Sequence, residues 1–359
     1  MVSRKLQQAT IFVVVRHWGI VYTAHIMKRQ IRQFLKRSIK RKETDSMKKL
    51  IVYFAIAASC VAIGSVRDCE QGRCATMCGK ATGTVGARVA AGEPKISVFA
   101  SFIRRIAKQR GISKSAAADL LYGMGVRGFD VGPAEPDLDE LSATRLKPIN
   151  FYYFPNWFGR KDDSKSVSPD ACLARAAELG VPRIMVVPPN FSDGQDNPDE
   201  FERILAHMKD FVARAKERSI TVTVEDFGGT RNCCSYMKYL KRFLDEIPDL
   251  RFALDTGNLY FAGRGEDILE MMAYAKGRVG HIHLKDQTAE DNRKYVTLGL
   301  GAVPNEEIVK AIACTDYDGW YTLENPVGDV LNDSVRQVAL LKSWLAAGCT
   351  GGACDGVKH

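Results

Sequence analysis

Thr221-Val-Thr-Val-Glu225, Phe252-Ala-Leu-Asp255, Val279-Gly-His281-Ile-His283 and Trp320-Tyr-Thr-Leu-Glu324 are four short apolar runs that each end in an acid or a histidine. A buried strand that closes on a ligand-type side chain, with a helical pattern after it, is how a β/α barrel presents chemistry at the C-terminal mouth of its strands. Two glutamates, one aspartate and one histidine make an oxygen-rich, single-nitrogen set for one divalent cation. Mn²⁺ is the first choice, with Mg²⁺, Co²⁺ and Zn²⁺ as alternatives.

The same alternation extends upstream. Strands are expected over Lys95–Phe102, Gly128–Val131, Ile149–Phe154 and Arg183–Val187, ahead of the four already quoted. Helices are expected between them over Ser113–Gly123, Leu138–Thr144, Ser168–Gly180 and Asp199–Arg218, then Tyr236–Ile247, Asp267–Lys276, Asn305–Ala313 and Ser334–Ala347. The fourth shows its amphipathic period at Phe201, Ile204, Leu205, Met208, Phe211, Val212 and Ala215. Eight strand/helix pairs in strict alternation imply a parallel α/β sheet, and eight is the number that closes a (β/α)8 TIM barrel, here over residues 93–347. A doubly wound open sheet would place a glycine-rich phosphate loop after its first strand, and none follows Phe102.

The formal charge of +9 invites a nucleic-acid reading until it is located. Residues 1–49 hold 13 Lys/Arg against Glu43 and Asp45, which leaves 38 basic and 40 acidic residues in the remainder. The barrel is near neutral, so no electrostatic footprint for a phosphate backbone exists there. Residues 1–46 read as a basic extension upstream of a working start at Met47. Lys48-Lys49, the apolar run from Leu50 and the small residues after it make 47–66 a signal peptide or membrane anchor. Ala57-Ala-Ser-Cys60 loosely resembles a lipoprotein box. Residues 67–92 then form a linker and 348–359 a flexible tail, so export to the periplasm or beyond is expected, with membrane contact only through the N-terminal segment. In such a compartment Cys69, Cys74, Cys78, Cys349 and Cys354 could pair, whereas Cys233-Cys234 read as ordinary loop thiols.

The second half of the chain resembles the xylose isomerase-like TIM barrel family of sugar (phosphate) isomerases and epimerases. The resemblance is carried by Val-Thr-Val-Glu225-Asp-Phe-Gly, Leu-Asp255-Thr-Gly-Asn258, His281-Ile-His283-Leu-Lys285-Asp286, Gly299-Leu-Gly301 and Tyr317-Asp-Gly319-Trp-Tyr-Thr-Leu-Glu324-Asn. It implies a metal held by Glu225, Asp255, His283 and Glu324, with the two glutamates as the acid/base pair of an enediolate mechanism on a keto-sugar. Two departures bear on substrate. Asn258 stands where many members have histidine, and Asp130 ends strand two where glutamate is common. Asparagine can hydrogen-bond a hydroxyl but cannot shuttle a proton.

The expected activity is that of a metal-dependent sugar isomerase or epimerase acting on a small carbohydrate. The alternative is a lyase or dehydratase on a keto-sugar or keto-inositol at the same metal, and a third reading is a non-catalytic sugar-binding barrel. A homo-oligomer is compatible with either activity. Asn258, Lys285, Asp286 and Arg293 are candidate substrate contacts. Phe102, Tyr152, Phe154, Trp157 and Phe227 are candidate aromatic surfaces for a sugar face, with Trp157 and Phe227 foremost. His281, alternating with His283 along one strand, is read as facing the opposite way and as structural. The DNA-repair endonucleases of the same superfamily need several more histidines, and only His207, His281 and His283 lie in the barrel segments.

Overall fold

Eight parallel strands close into a ring in sequence order, with the last pairing back onto the first. They are β1 (Ile96–Phe99), β2 (Val126–Val131), β3 (Lys147–Tyr153), β4 (Arg183–Val186), β5 (Thr221–Glu225), β6 (Arg251–Asp255), β7 (Val279–Leu284) and β8 (Tyr321–Leu323). This computed structural model describes residues 93–159, 167–265, 267–291 and 294–347. The expectations placed on the basic extension, the signal segment, the linker, the tail, Arg293 and the terminal cysteines lie outside the described residues. Among the described residues no helix is long and apolar enough to cross a membrane.

The helices that cover the barrel are α1 (Ala100–Arg110), α2 (Lys114–Gly123), α3 (Leu138–Ser142), α4 (Pro169–Leu179), α5 (Pro198–Lys216) and α6 (Met237–Glu246). They continue as α7 (Asn258–Phe261), α8 (Asp267–Tyr274), α9 (Asn305–Ala313) and α10 (Val330–Ala347). Their ends follow local chemistry. Ser113 caps α2 by accepting from Ala116 N–H, and Ser168 caps α4 by accepting from Ala171 N–H, with Pro169 at its first turn. Gly180 ends α4 at φ 64°, a left-handed position that glycine adopts without a Cβ penalty. The seven apolar positions read along α5 are all buried.

One expectation is corrected. The first strand stops at Phe99, and Ala100 starts a helix. Phe102, Ile103, Ile106 and Ala107 are buried at the 3.6 period of that helix rather than at the alternation of a strand. Phe102 therefore packs in the core between helix and sheet, and Phe99 takes the place at the strand end. A short antiparallel pair, Asp286–Gln287 with Tyr295–Val296, was also not anticipated.

Candidate metal centre

Glu225 and Asp255 end β5 and β6, His283 lies near the end of β7, and Glu324 directly follows β8. Register pairs Asp255 with His283, while Glu225 pairs with Ala253 two residues before Asp255 and Glu324 lies two residues past Thr322, the β8 partner of His283. One ligand atom from each of the four lies within 4.8 Å of the others. His283 Nδ1 is 2.6 Å from Glu225 Oε1 and 3.7 Å from Glu324 Oε2. Glu324 Oε2 is a buried oxygen that accepts no hydrogen bond, and buried Asp255 Oδ2 meets Lys285 Nζ as an ion pair at 2.7 Å without hydrogen-bond geometry. Hard oxygens left in this condition beside an imidazole fit a divalent cation, and the four residues named from the sequence are the ones brought together.

Asp255 serves two ends with its two oxygens. Oδ1 accepts from Gly257 N–H at 2.8 Å and Asn258 N–H at 2.9 Å, which starts α7, while Oδ2 faces the cluster. Asp226, which the sequence reading did not single out, accepts the Asp255 backbone N–H at 2.8 Å. Its own backbone carbonyl accepts from the Asn258 side chain at 2.8 Å. Burial, with Asp255 and Glu225 close by, pushes the Asp226 carboxyl well above the usual range.

His281 requires a second correction. Residues two apart in a strand share a face, so His281 and His283 point the same way. Both reach Asp130 on β2, across the barrel interior, with His281 Nε2 at 2.7 Å and His283 Nε2 at 3.0 Å from Asp130 Oδ2. The same carboxylate accepts from Asn150 at 2.7 Å and from the Thr322 hydroxyl at 3.2 Å, and Ser97 lies 2.6 Å from that hydroxyl. Asp130, His281, Asn150, Thr322 and Ser97 thus form a polar floor beneath the four ligand-type residues. The structural reading of His281 fits this place, although its direction was wrong.

The floor also sets protonation. Burial would raise the Asp130 carboxyl, but the two imidazoles outweigh it and hold it far below the usual range. Burial brings His281 down to about 4 despite Asp130, so it is neutral near pH 7. For His283 burial is overcome by Glu225 and Asp130, which raise it well above the usual imidazole value. Burial, reinforced by Asp255, brings Glu324 up to about 8 in the face of Lys285 and His283.

Of the candidate substrate contacts, Lys285 and Asn258 lie at the cluster. Lys285 Nζ is 2.7 Å from Asp255 Oδ2, 2.8 Å from Glu324 Oε1 and 3.3 Å from Asn258 Oδ1. Its stem crosses Gly257, where a Cβ would fall 2.2 Å from Lys285 Cγ, so no larger residue fits. Asp286 is placed differently. Its carboxylate accepts four backbone N–H groups, from Gln287, Gly299, Gly301 and Val303, at 2.9 to 3.2 Å. It organises the loop that carries the Gly299-Leu-Gly301 motif.

The aromatic candidates divide in the same way. Tyr152 stacks on Phe99 with ring centroids 5.3 Å apart, and Phe99 in turn meets the His283 ring edge-on at 4.9 Å. Phe154 contacts Tyr152 and is 54% exposed. Phe227 packs against the Met185, Val187 and Ala253 cluster near Tyr152. Trp157 instead stacks on His207 of α5 at 5.5 Å. Phe99 does not stand out in the sequence because the apolar run continues past it to Phe102 and Ile103.

Residues 138–345, more than half of the chain, match the xylose isomerase-like TIM barrel family, and the chain belongs to that family. Among curated proteins it is 26% identical over 249 residues to an inosose dehydratase of Mesomycoplasma hyopneumoniae strain J, an alignment that covers 59% of this chain and 81% of the relative. Among solved structures, the probable 3-DHS dehydratase AsbF of Bacillus anthracis superposes with a TM-score of 0.56 at 15% identity, covering 69% of this chain and 98% of that one. An L-ribulose 3-epimerase superposes with a TM-score of 0.56 at 13% identity, covering 74% and 99%. Those two likenesses concern the fold.

Proposed function

We propose that the protein is a divalent-metal-dependent enzyme that removes the proton beside the carbonyl of a polyhydroxy ketone, with loss of water as the net reaction. The observation that carries the reading is the convergence of Glu225, Asp255, His283 and Glu324 within 4.8 Å at the strand ends. These residues would hold the ion, which when bound acts as a Lewis acid on the oxygen that becomes negative during enolisation. A non-catalytic barrel would have no use for this buried, charged set.

The chain's own groups supply the remainder. Glu225 on β5 and Glu324 after β8 approach from different sides of the ring, so one carboxylate can take the α-proton while the other carboxyl faces the far side of the substrate. In the dehydration, the α C–H bond breaks toward the base, a double bond forms, and the β C–O bond breaks with its hydroxyl leaving as water after protonation. Phe99, Tyr152 and Phe227 supply apolar surface for the C–H face of a ring. Dehydration is favoured over epimerisation because the curated relatives are inosose dehydratases. The substrate class it implies is a keto-inositol or keto-sugar.

Epimerisation is the second reading, and the pair Glu225 and Glu324 favours it, since reprotonation from the opposite face needs nothing further. Incubation of the protein with Mn²⁺ and a panel of keto-inositols and keto-sugars in deuterated water separates the two by mass. Loss of one water supports the dehydratase. Uptake of one deuterium without loss of water supports the epimerase, and neither change with any member of the panel overturns the proton-transfer reading.

A further inference from the structure

Lys285 Nζ contacts Asp255 Oδ2 at 2.7 Å and Glu324 Oε1 at 2.8 Å, and its side chain is only 6% exposed. Those carboxylates belong to two of the four residues with ligand geometry. The ammonium of a lysine this deeply placed is balanced by the Asp255 and Glu324 carboxylates that it touches. A divalent ion on Asp255 Oδ2, which Lys285 holds, and on the Glu324 carboxylate, whose Oε1 Lys285 holds, would stand within a few ångströms of the ammonium, where two positive charges repel strongly in a water-poor site. The two cations compete for the Asp255 and Glu324 carboxylates.

We infer that Lys285 is a built-in competitor for the metal site, exchanged off Asp255 and Glu324 when a divalent ion enters. The inference rests on the metal-centre reading above. The geometry provides for the exchange, because Asn258 Oδ1 lies 3.3 Å from Nζ and is a neutral acceptor that no cation needs. Gly257 leaves the stem of Lys285 lying against bare backbone, so the head can turn without its first carbons moving. Asparagine at 258 acquires a purpose by this account, since a protonated imidazole there would repel the displaced ammonium. Linkage then runs both ways: whatever weakens the hold of Lys285 on the carboxylates tightens metal binding by the same factor.

The test uses the full chain and Mn²⁺ alone, titrated by calorimetry into the metal-stripped wild type and the Lys285→Met variant. The variant is expected to bind Mn²⁺ about tenfold tighter or better. Its melting temperature with chelator should fall below that of the wild type, whereas the two should converge when saturated with Mn²⁺. Equal or weaker binding by Lys285→Met overturns the competition and leaves the metal centre standing. Binding by neither protein overturns the metal centre and this inference with it. A second measurement does not depend on the methionine variant folding. The Lys285 Nζ resonance in lysine-labelled wild type, assigned through Lys285→Arg, should shift on saturation with diamagnetic Mg²⁺. An unmoved resonance at saturation overturns the exchange.

Discussion

Asp130 Oδ2 stands 3.0 Å from His283 Nε2, on the opposite side of the imidazole from Glu225, whose Oε1 is 2.6 Å from Nδ1. A carboxylate on the remote nitrogen fixes the ring plane, so that Nδ1 is the atom turned toward Glu225 and Glu324, and it raises the basicity of that nitrogen. Asp130 itself is held by Asn150 and Thr322, so the orientation is passed from β3 and β8 through β2 to β7. Asp130→Asn keeps the shape and removes the charge. Mn²⁺ affinity is expected to drop about 10- to 100-fold with the far-ultraviolet spectrum unchanged. Undiminished affinity in a calorimetric titration would show that Asp130 does not orient His283.

Asp255 allows its two tasks to be separated. Asp255→Asn retains an oxygen for the Gly257 and Asn258 N–H groups but loses the anionic ligand. It should therefore melt close to the wild type while binding metal poorly. Asp255→Ala loses both and should melt lower as well, by roughly 1–3 kcal/mol of stability for the unsatisfied turn donors. Full metal occupancy and activity after Asp255→Ala would remove it from the ligand set.

Glu225→Gln and Glu324→Gln test the proton transfers. Each amide keeps an oxygen toward the site and cannot accept a proton, so metal content should persist in part while exchange of the substrate α-proton with deuterated water falls by about 100-fold or more. Proton exchange is read by mass spectrometry of recovered substrate. Normal exchange in both variants would contradict a role for either carboxylate as the base.

The barrel and the convergence of four strand-end carboxyl and imidazole groups were legible because both rest on local pattern. Apolar runs closing on an acid need only strand periodicity to place their last residue at the mouth. The floor was not legible, because Asp130 meets His281 and His283 across the interior, over 151 and 153 positions of sequence, and no local pattern encodes such a contact. Phe102 was misplaced because Ile96 to Ile103 is nearly continuous in apolar character, so strand and helix periods are indistinguishable there until Ile106 and Ala107 are counted. Asp286 was read as a substrate contact for want of any signal that four backbone donors from Gln287 to Val303 converge on it.

Those donors give a stability test away from the chemistry. Asp286→Ala strips the acceptor from N–H groups of Gln287, Gly299, Gly301 and Val303. A loss of about 2–4 kcal/mol is expected in urea unfolding. Gly301→Ala should destabilise too, because a Cβ there would fall 2.1 Å from Asp286 Oδ1 and 2.4 Å from the Gln287 carbonyl oxygen. Wild-type stability in Asp286→Ala would mean that the loop does not need this anchor.

His281 should make the barrel acid-sensitive in a defined window. Its folded value is brought down to about 4 by burial, against an ordinary value of 6.5. Between these limits the unfolded chain binds the proton and the folded chain does not, so stability is fully present above about 6.5 and is lost as pH falls toward 4. The shift corresponds to roughly 3 kcal/mol over the window. Protonation there would place a cation 3.4 Å from Arg183 Nη1, on a guanidinium whose Nε already lacks a partner. His283 works in the other direction: its raised value contributes stability that is complete below about 6.5 and lost only as pH rises through its folded value. The two contributions therefore occupy different pH ranges. Urea unfolding of wild type and His281→Gln from pH 4 to 8, with chelator throughout, should show the variant losing less stability than the wild type between 6.5 and 4 and running parallel to it above 7. Equal slopes below 6.5 would mean that His281 accepts a proton in the folded barrel as easily as in the unfolded chain.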